Sequence, residues 1–169
     1  DVALGQQDFT SSTSELSDIE MSGPKAVAID LVNRQLFVAD TGNNRVMVFN
    51  ITDGATTGMV ALYVIGQPSV FDNTAGTSQA LLSQPTGLDY DHGSNVLYIA
   101  DTGNNRVIVT DGDQGFQVGG LIGESGMSFS YVIGQTDFNT ATSGLSATKF
   151  SAPQGVDVNT NGDILVTDT

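Results

Sequence analysis

The stretch VADTGNNRVMVF at residues 38–49 returns almost unchanged as IADTGNNRVIVT at 99–110, and a third start, VTDT, occupies 166–169. Two further markers travel with it. LGQQDF (4–9), IGQPSVF (65–71) and IGQTDF (133–138) lie upstream, and PKAVAID (24–30), PTGLDYD (85–91) and PQGVDVN (153–159) lie between. Gln6, Gln67 and Gln135 each precede Pro24, Pro85 and Pro153 by 18 residues. Three markers in one register mean a tandem repeat. The prolines are 61 and then 68 residues apart, and the seven extra residues fall between Arg106 and Gly134. They form a glycine-rich insertion within 112–130, where a loop between strands tolerates added length.

Each unit reads as four short strands. The first is 26–29, 87–90 or 155–158, and the second is 35–40, 96–101 or 163–168. The third is 45–49 or 106–110, and the fourth is 61–66 or 129–134. Apolar, β-branched runs bounded by Gly, Asn, Asp and Ser give this reading. Val2–Gly5 reads as the end of a fourth strand from a preceding unit.

Within the T-G-N-N turn, Gly42 and Gly103 are expected at positive φ, which Asn43, Asn44, Asn104 and Asn105 also tolerate. Asp40 and Asp101 are expected to accept hydrogen bonds from amides of their turns, with Arg45 and Arg106 close enough to pair with them. Such a corner needs these residue types for structure alone. The spacers are polar, yet Met21, Leu82 and Phe150 stand three residues before each proline, and Phe9, Phe71 and Phe138 follow each Gly-Gln pair. Burial of all six is expected, which would make the spacers packed loops.

Composition agrees with an all-β reading. The 169 residues carry 19 acidic and 5 basic side chains, a net charge of −14, one histidine and no cysteine. Serine (15), threonine (18), asparagine (11) and glycine (20) supply neutral turns, where a helical protein would use Glu, Lys and Arg. The acidic balance argues against nucleic acid and anionic lipid as partners. Disulfides, cysteine nucleophiles and zinc–thiolate sites are excluded, and no stretch is apolar enough for membrane insertion.

Taken together, A-D-T-G-N-N-R-V, the preceding P-x-G-x-x-x-D and the recurrent G-Q-x-D-F resemble the bacterial type of NHL-repeat protein. Ala26 departs from the pattern where Gly87 and Gly155 keep it. The resemblance implies an all-β fold, a β-propeller of four-stranded blades, typically six to a ring, of which this chain would cover about two and a half. The blades would be 24–66, 85–134 and the first half of one at 153–169, with 1–5 ending a preceding blade and 6–23, 67–84 and 135–152 as long inter-blade loops. Two and a half blades cannot close a ring. The expectation is a piece of a larger propeller, then a subunit completed by other chains, then an isolated stack. Apolar faces awaiting a neighbour follow from the first two.

Candidate chemistry is sparse. If the first strands line a channel, Asp30, Asp89, Asp91 and Asp157, with Asn159, form a carboxylate set suited to Ca²⁺, although an Asp beside a turn also serves backbone amides. Asp111 and Asp113 in TDGDQG resemble a calcium loop weakly. His92 sits in a turn, without equivalents, and one histidine cannot reproduce the multi-histidine metal site of the amidating lyases that share the NHL fold. No nucleophile elbow, H-E-x-x-H or P-loop pattern occurs. RNA binding, known among animal NHL proteins, needs a basic face that is missing here. Asn50–Ile51–Thr52 is a glycosylation sequon. The favoured expectation is a secreted or cell-surface module, or a periplasmic one, of bacterial or archaeal origin that binds protein or glycan or acts as a scaffold. A metal-assisted lyase or hydrolase completed by residues elsewhere is the first alternative, and a fibre subunit the second.

Overall fold

The structure, a computed structural model, describes residues 1–110 and 125–169. The strands are β1 (Val27–Asp30), β2 (Gln35–Asp40), β3 (Arg45–Asn50), β4 (Tyr63–Ile65), β5 (Pro85–Asp91), β6 (Val96–Asp101), β7 (Arg106–Val109), β8 (Tyr131–Ile133), β9 (Gly155–Val158) and β10 (Ile164–Thr167). They form two antiparallel four-stranded meanders, β1-β2-β3-β4 and β5-β6-β7-β8, and a two-stranded sheet of β9 and β10. These are blades 1, 2 and 3 of a β-propeller, and blade 3 has two strands. Short apolar strands joined by tight turns leave each strand beside its sequence neighbour, which gives meanders without crossovers.

Register in blade 1 pairs Val38 with Met47 and Asp40 with Arg45, and blade 2 repeats it with Ile99–Ile108 and Asp101–Arg106. Alternation along the strands then sends side chains to both faces. Phe37, Ala39, Val46, Val48 and Ile65 of blade 1 meet Leu88, Tyr90, Leu97, Ile99 and Ile108 of blade 2 in one buried cluster. The opposite face of blade 1 gathers Val38, Met47, Phe49 and Val64 under Met21 and Leu4, and that of blade 2 places Ala100 and Val107 against Val156 of blade 3. The cluster between blades 1 and 2 is the largest, so each blade draws part of its burial from its neighbour.

The three spacers are ordered by their ends. Met21 and Leu82 are buried and Phe150 is half-buried. They pack on Gly5, Gly66 and Gly134, all near φ +87. A side chain at Gly66 would meet Leu82 Cβ at 3.0 Å, so the Gly-Gln glycine answers both a left-handed backbone and a close approach. The second set of anchors differs from expectation. Phe138 is half-buried against the core, whereas Phe9 and Phe71 are exposed. The counterpart of Phe138 is Val70, whose carbonyl is held by the same kind of arginine bond, and Phe71 lies one residue further on.

Two other expectations change. Residues 1–5 carry no strand, and Ala3 instead bonds to Thr57 Oγ1 and Gly58 N. Among the described residues no third strand stands beside this segment. The fourth strands begin later than expected, because Ala61 and Phe129 donate their amides to the spacers, at Asp18 O and Gln79 O. Most of the insertion at 112–130, with Asp111 and Asp113, lies outside the described residues.

Candidate functional site: the D-T-G-N-N-R corners

Each corner runs from the end of one strand, through a single 3-10 turn, into the next strand. Thr41–Asn43 and Thr102–Asn104 form the turns, and Asn44 and Asn105 close them in the left-handed region at φ 53. The asparagines therefore take the positive φ. Gly42 and Gly103 do not. Their need for glycine is steric: a Cβ on Gly42 would lie 2.7 Å from the Ser22 carbonyl oxygen, and one on Gly103 2.8 Å from that of Ser83. The approach is fixed by hydrogen bonds from Gly42 N to Ser22 O (2.8 Å) and from Gly103 N to Ser83 O (2.9 Å).

Asp40 and Asp101 also work differently from expectation. No backbone amide of the turn donates to them. Ser22 N reaches Asp40 Oδ1 at 2.6 Å and Ser83 N reaches Asp101 Oδ1 at 2.7 Å, both from the preceding spacer. Asn43 Nδ2 and Asn104 Nδ2 take the other oxygen, which also receives Arg45 Nε or Arg106 Nε at 2.7 Å. Both ion pairs are fully buried. Burial pushes the Asp101 carboxyl up to about 6, against the pull of Arg106 and of the donors from Ser83 and Asn104.

The rest of each guanidinium binds carbonyls of two spacers. Arg45 donates to Ser17 O and Glu20 O of the loop before its blade and to Val70 O of the loop after it. Arg106 does the same with Thr77 O, Ser78 O and Leu81 O on one side and Phe138 O on the other. A planar fork with five donors and a permanent charge can serve an acid and several carbonyls at once, and lysine cannot.

Thr and Asn complete the joint to the next unit. Thr41 Oγ1 donates to Pro85 O and Thr102 Oγ1 to Pro153 O, each at 2.6 Å. Asn44 Oδ1 accepts from Gln84 N while its Nδ2 donates to Asn73 O, and Asn105 repeats this with Ala152 N and Ala141 O. Gln67 Nε2 grips Asn44 O and Thr74 O, and Gln135 Nε2 grips Asn105 O and Thr142 O. Every position of the motif is thus used in structure, much of it across a unit boundary. Unit three starts alike, with Ser151 N on Asp168 Oδ1 at 2.6 Å.

The four carboxylates considered for Ca²⁺ fall in separate places. Asp30 is buried and accepts from Val32 N, Asn33 N, Asn33 Nδ2 and, across the blade interface, Tyr90 Oη. Burial alone would raise its pKa, but these donors, Asn33 foremost, outweigh it and hold the carboxyl below the ordinary value. Asp91, its counterpart, caps its own turn through Gly93 N and Ser94 Oγ, and the Ser94 hydroxyl lowers its pKa. Asp89 bonds Val158 N of blade 3, and Asp157 is exposed. Among the described residues no three or more of His, Cys, Asp and Glu converge. His92 rests edge-on against Tyr90. No helix of the described residues is long and apolar enough to cross a membrane.

The NHL repeat family matches residues 21–49 and 82–110. Each match runs from a spacer anchor, Met21 or Leu82, through the arginine strand. Among solved structures, one titled Kuenenia stuttgartiensis Hydrazine Synthase is similar with a TM-score of 0.51 and 13% identity over 96% of this chain. At that identity the likeness concerns fold alone. The chain spans 36% of that chain's length. No curated protein sequence matches. Two matches to the NHL repeat thus lie on consecutive, interlocked four-stranded blades, and the fold is a β-propeller.

Proposed function

We propose that the chain is part of an extracellular propeller module of bacterial or archaeal origin that binds a glycan or protein through its spacer loops. One observation carries this reading: Phe71 and Phe9 are 67% and 65% exposed on loops whose backbone is otherwise held down. Arg45 grips the carbonyl of Val70, directly before Phe71, and also two carbonyls of the loop that bears Phe9. Large apolar rings on a fixed polar loop cost solubility and supply rigid contact area, as binding surfaces require.

Asp8, next to Phe9 in sequence, adds a polar group to the loop. The hydroxyls and amides of Thr10 and Ser11 all donate to its Oδ1, and they hold its pKa at about 2. The charged carboxylate keeps its other oxygen for a ligand hydroxyl. A ring face next to a carboxylate suits a sugar, with one apolar and one hydroxyl-bearing side. Further blades would complete the ring and keep the loops on one rim.

The test is a screen of immobilised oligosaccharides and extracellular matrix proteins with the wild-type chain and the double variant Phe9→Ser, Phe71→Ser. Binding that disappears in the variant, at an unchanged melting temperature, supports the reading. Binding unaffected by the two substitutions overturns it.

A further inference from the structure

Asn50–Ile51–Thr52 takes no part in the interlocked joints. Of the 11 asparagines, Asn50 alone is followed two residues on by a serine or threonine. Its counterpart in the second repeat is Asp111. β3 is buried from Arg45 to Phe49 and becomes exposed at Asn50, its last residue. The loop that follows is exposed throughout 52–57. Ile51 N donates to Arg34 O at 2.8 Å, which ties the root of this loop to the turn between β1 and β2.

One turn sets both side chains of the triplet that carry chemistry. Asn50 Oδ1 accepts from Thr52 N at 2.9 Å and from Thr52 Oγ1 at 2.7 Å. The asparagine amide and the threonine hydroxyl thus stand side by side on an exposed turn. Asn50 Nδ2 donates to nothing among the described residues. Elsewhere the amide nitrogens are engaged: Asn43 and Asn104 donate to buried carboxylates, Asn44 and Asn105 to spacer carbonyls, and Asn33 to Asp30. Asn50 engages only its oxygen, and its partner is the residue that a glycosylating enzyme reads together with it.

We propose that the folded chain presents Asn50 as the acceptor of one N-linked oligosaccharide. This rests on the extracellular placement proposed above, since the sequon is read on chains that leave the cytoplasm. The donor is an oligosaccharide joined to a polyprenyl pyrophosphate. Asn50 Nδ2 attacks the anomeric carbon, and the C–N bond forms as the bond from that carbon to the pyrophosphate oxygen breaks. The lipid leaves as its pyrophosphate, and one Nδ2 proton passes to the transferase. Arg45, with the corner and its spacers, lies at one end of β3, and Asn50 lies about 17 Å away at the other. A glycan on Asn50 therefore extends from the rim opposite the loop that bears Phe71, and leaves that ring uncovered.

In vitro transfer tests this. A peptide of residues 45–57 serves as the unfolded reference, and the enzyme is an oligosaccharyltransferase that modifies it. The folded 169-residue chain is incubated with that enzyme and a polyprenyl-pyrophosphate-linked oligosaccharide, and the products are mapped by glycopeptide mass spectrometry. One glycan per chain is expected, on Asn50, at a rate within about tenfold of the peptide, because an exposed loop opens at little cost. Asn50→Gln and Thr52→Val should each abolish transfer and Thr52→Ser should keep it, all three with melting temperatures unchanged. A folded chain left bare while the peptide reacts overturns the proposal, and so does transfer that survives Asn50→Gln. The chain exported by its own cells should yield the same glycopeptide, and an exported chain with a bare Asn50 overturns the proposal as well. Retention of the chain inside the cell would remove the extracellular premise, a failure read from location and not from Asn50. Loop binding enters none of these readouts, so the two readings fail separately.

Discussion

Blades 1 and 2 present the same face to different surroundings. On blade 2 that face packs on blade 1, and Leu88 and Tyr90 are 8% and 5% exposed. On blade 1 the matching residues, Val27 and Ile29, are 66% and 38% exposed, with Leu31 and Val32 exposed beyond them. The far edge shows the same contrast, since Tyr63 is buried by blade 2 at 3% and its counterpart Tyr131 is 66% exposed. Strand order, register and corner are alike, so the difference is one of neighbours. A blade's sequence specifies its sheet; burial of the sheet comes from the next unit.

The arginines should give the largest effects, in both units. Arg45→Met and Arg106→Met each strand a buried carboxylate and several carbonyls, at a cost of about 3–5 kcal/mol. Urea unfolding measures it. If Arg45→Met costs much less than Arg106→Met, the two joints are not equivalent and the comparison breaks.

Next come the matched faces. Leu88→Ala should cost about 2–5 kcal/mol and Val27→Ala at most about 0.5 kcal/mol in the 169-residue chain. Equal losses in the two variants would mean that the edge of blade 1 is covered in solution.

A third test sharpens a place where the faces differ in chemistry. Tyr90 stacks on Phe37 at 5.5 Å and donates to Asp30, whereas Ile29 in the same register has no hydroxyl. Tyr90→Phe should cost about 1.5–3 kcal/mol at neutral pH, as a hydrogen bond to a charged group. Because the folded-state pKa of Asp30 is depressed, its contribution is present above the unfolded value near 3.8 and is lost as pH falls through the folded one. The gap between wild type and variant should therefore narrow below about pH 4. A gap of unchanged size at pH 7 and pH 3 would show that the bond does not depend on the charge of Asp30.

Much of the fold was legible because tandem copies expose their own register. The second strands at 35–40 and 96–101 and the first strand at 155–158 match their expected spans. The first strand of blade 2 extends beyond its expected span to Pro85–Asp91, and the fourth strands shrink to three residues. What the corner does was less legible. Turn chemistry assigns a Gly next to an Asn to positive φ, yet the constraint on Gly42 comes from Ser22, twenty residues away, and no local rule sees it. The carboxylates showed the same limit: one donor to Asp30 is Tyr90, in another unit. Phe71 misled because it imitates the position of Phe138, while a hydrogen bond to the preceding residue's carbonyl fixes the true register. The signal available beforehand was the constant distance from glutamine, which equates Val70 with Phe138.

The order along the chain of each corner and its receptor, the segment that engages it, bears on how such a protein lengthens. In both joints the threonine and second asparagine of the corner are engaged by the segment that follows, 40 to 51 residues downstream. Any in-frame tandem duplication of one period, 61 residues from Pro24 to Pro85, therefore regenerates an intact corner–receptor pair wherever its breakpoints fall. A unit gained by replication slippage arrives already fitted to both neighbours, with no compensating substitutions required. Loss of a whole period leaves an equally matched seam. Point changes at Asp40, Thr41, Asn44 or Arg45, by contrast, each disturb a partner outside the blade that carries them.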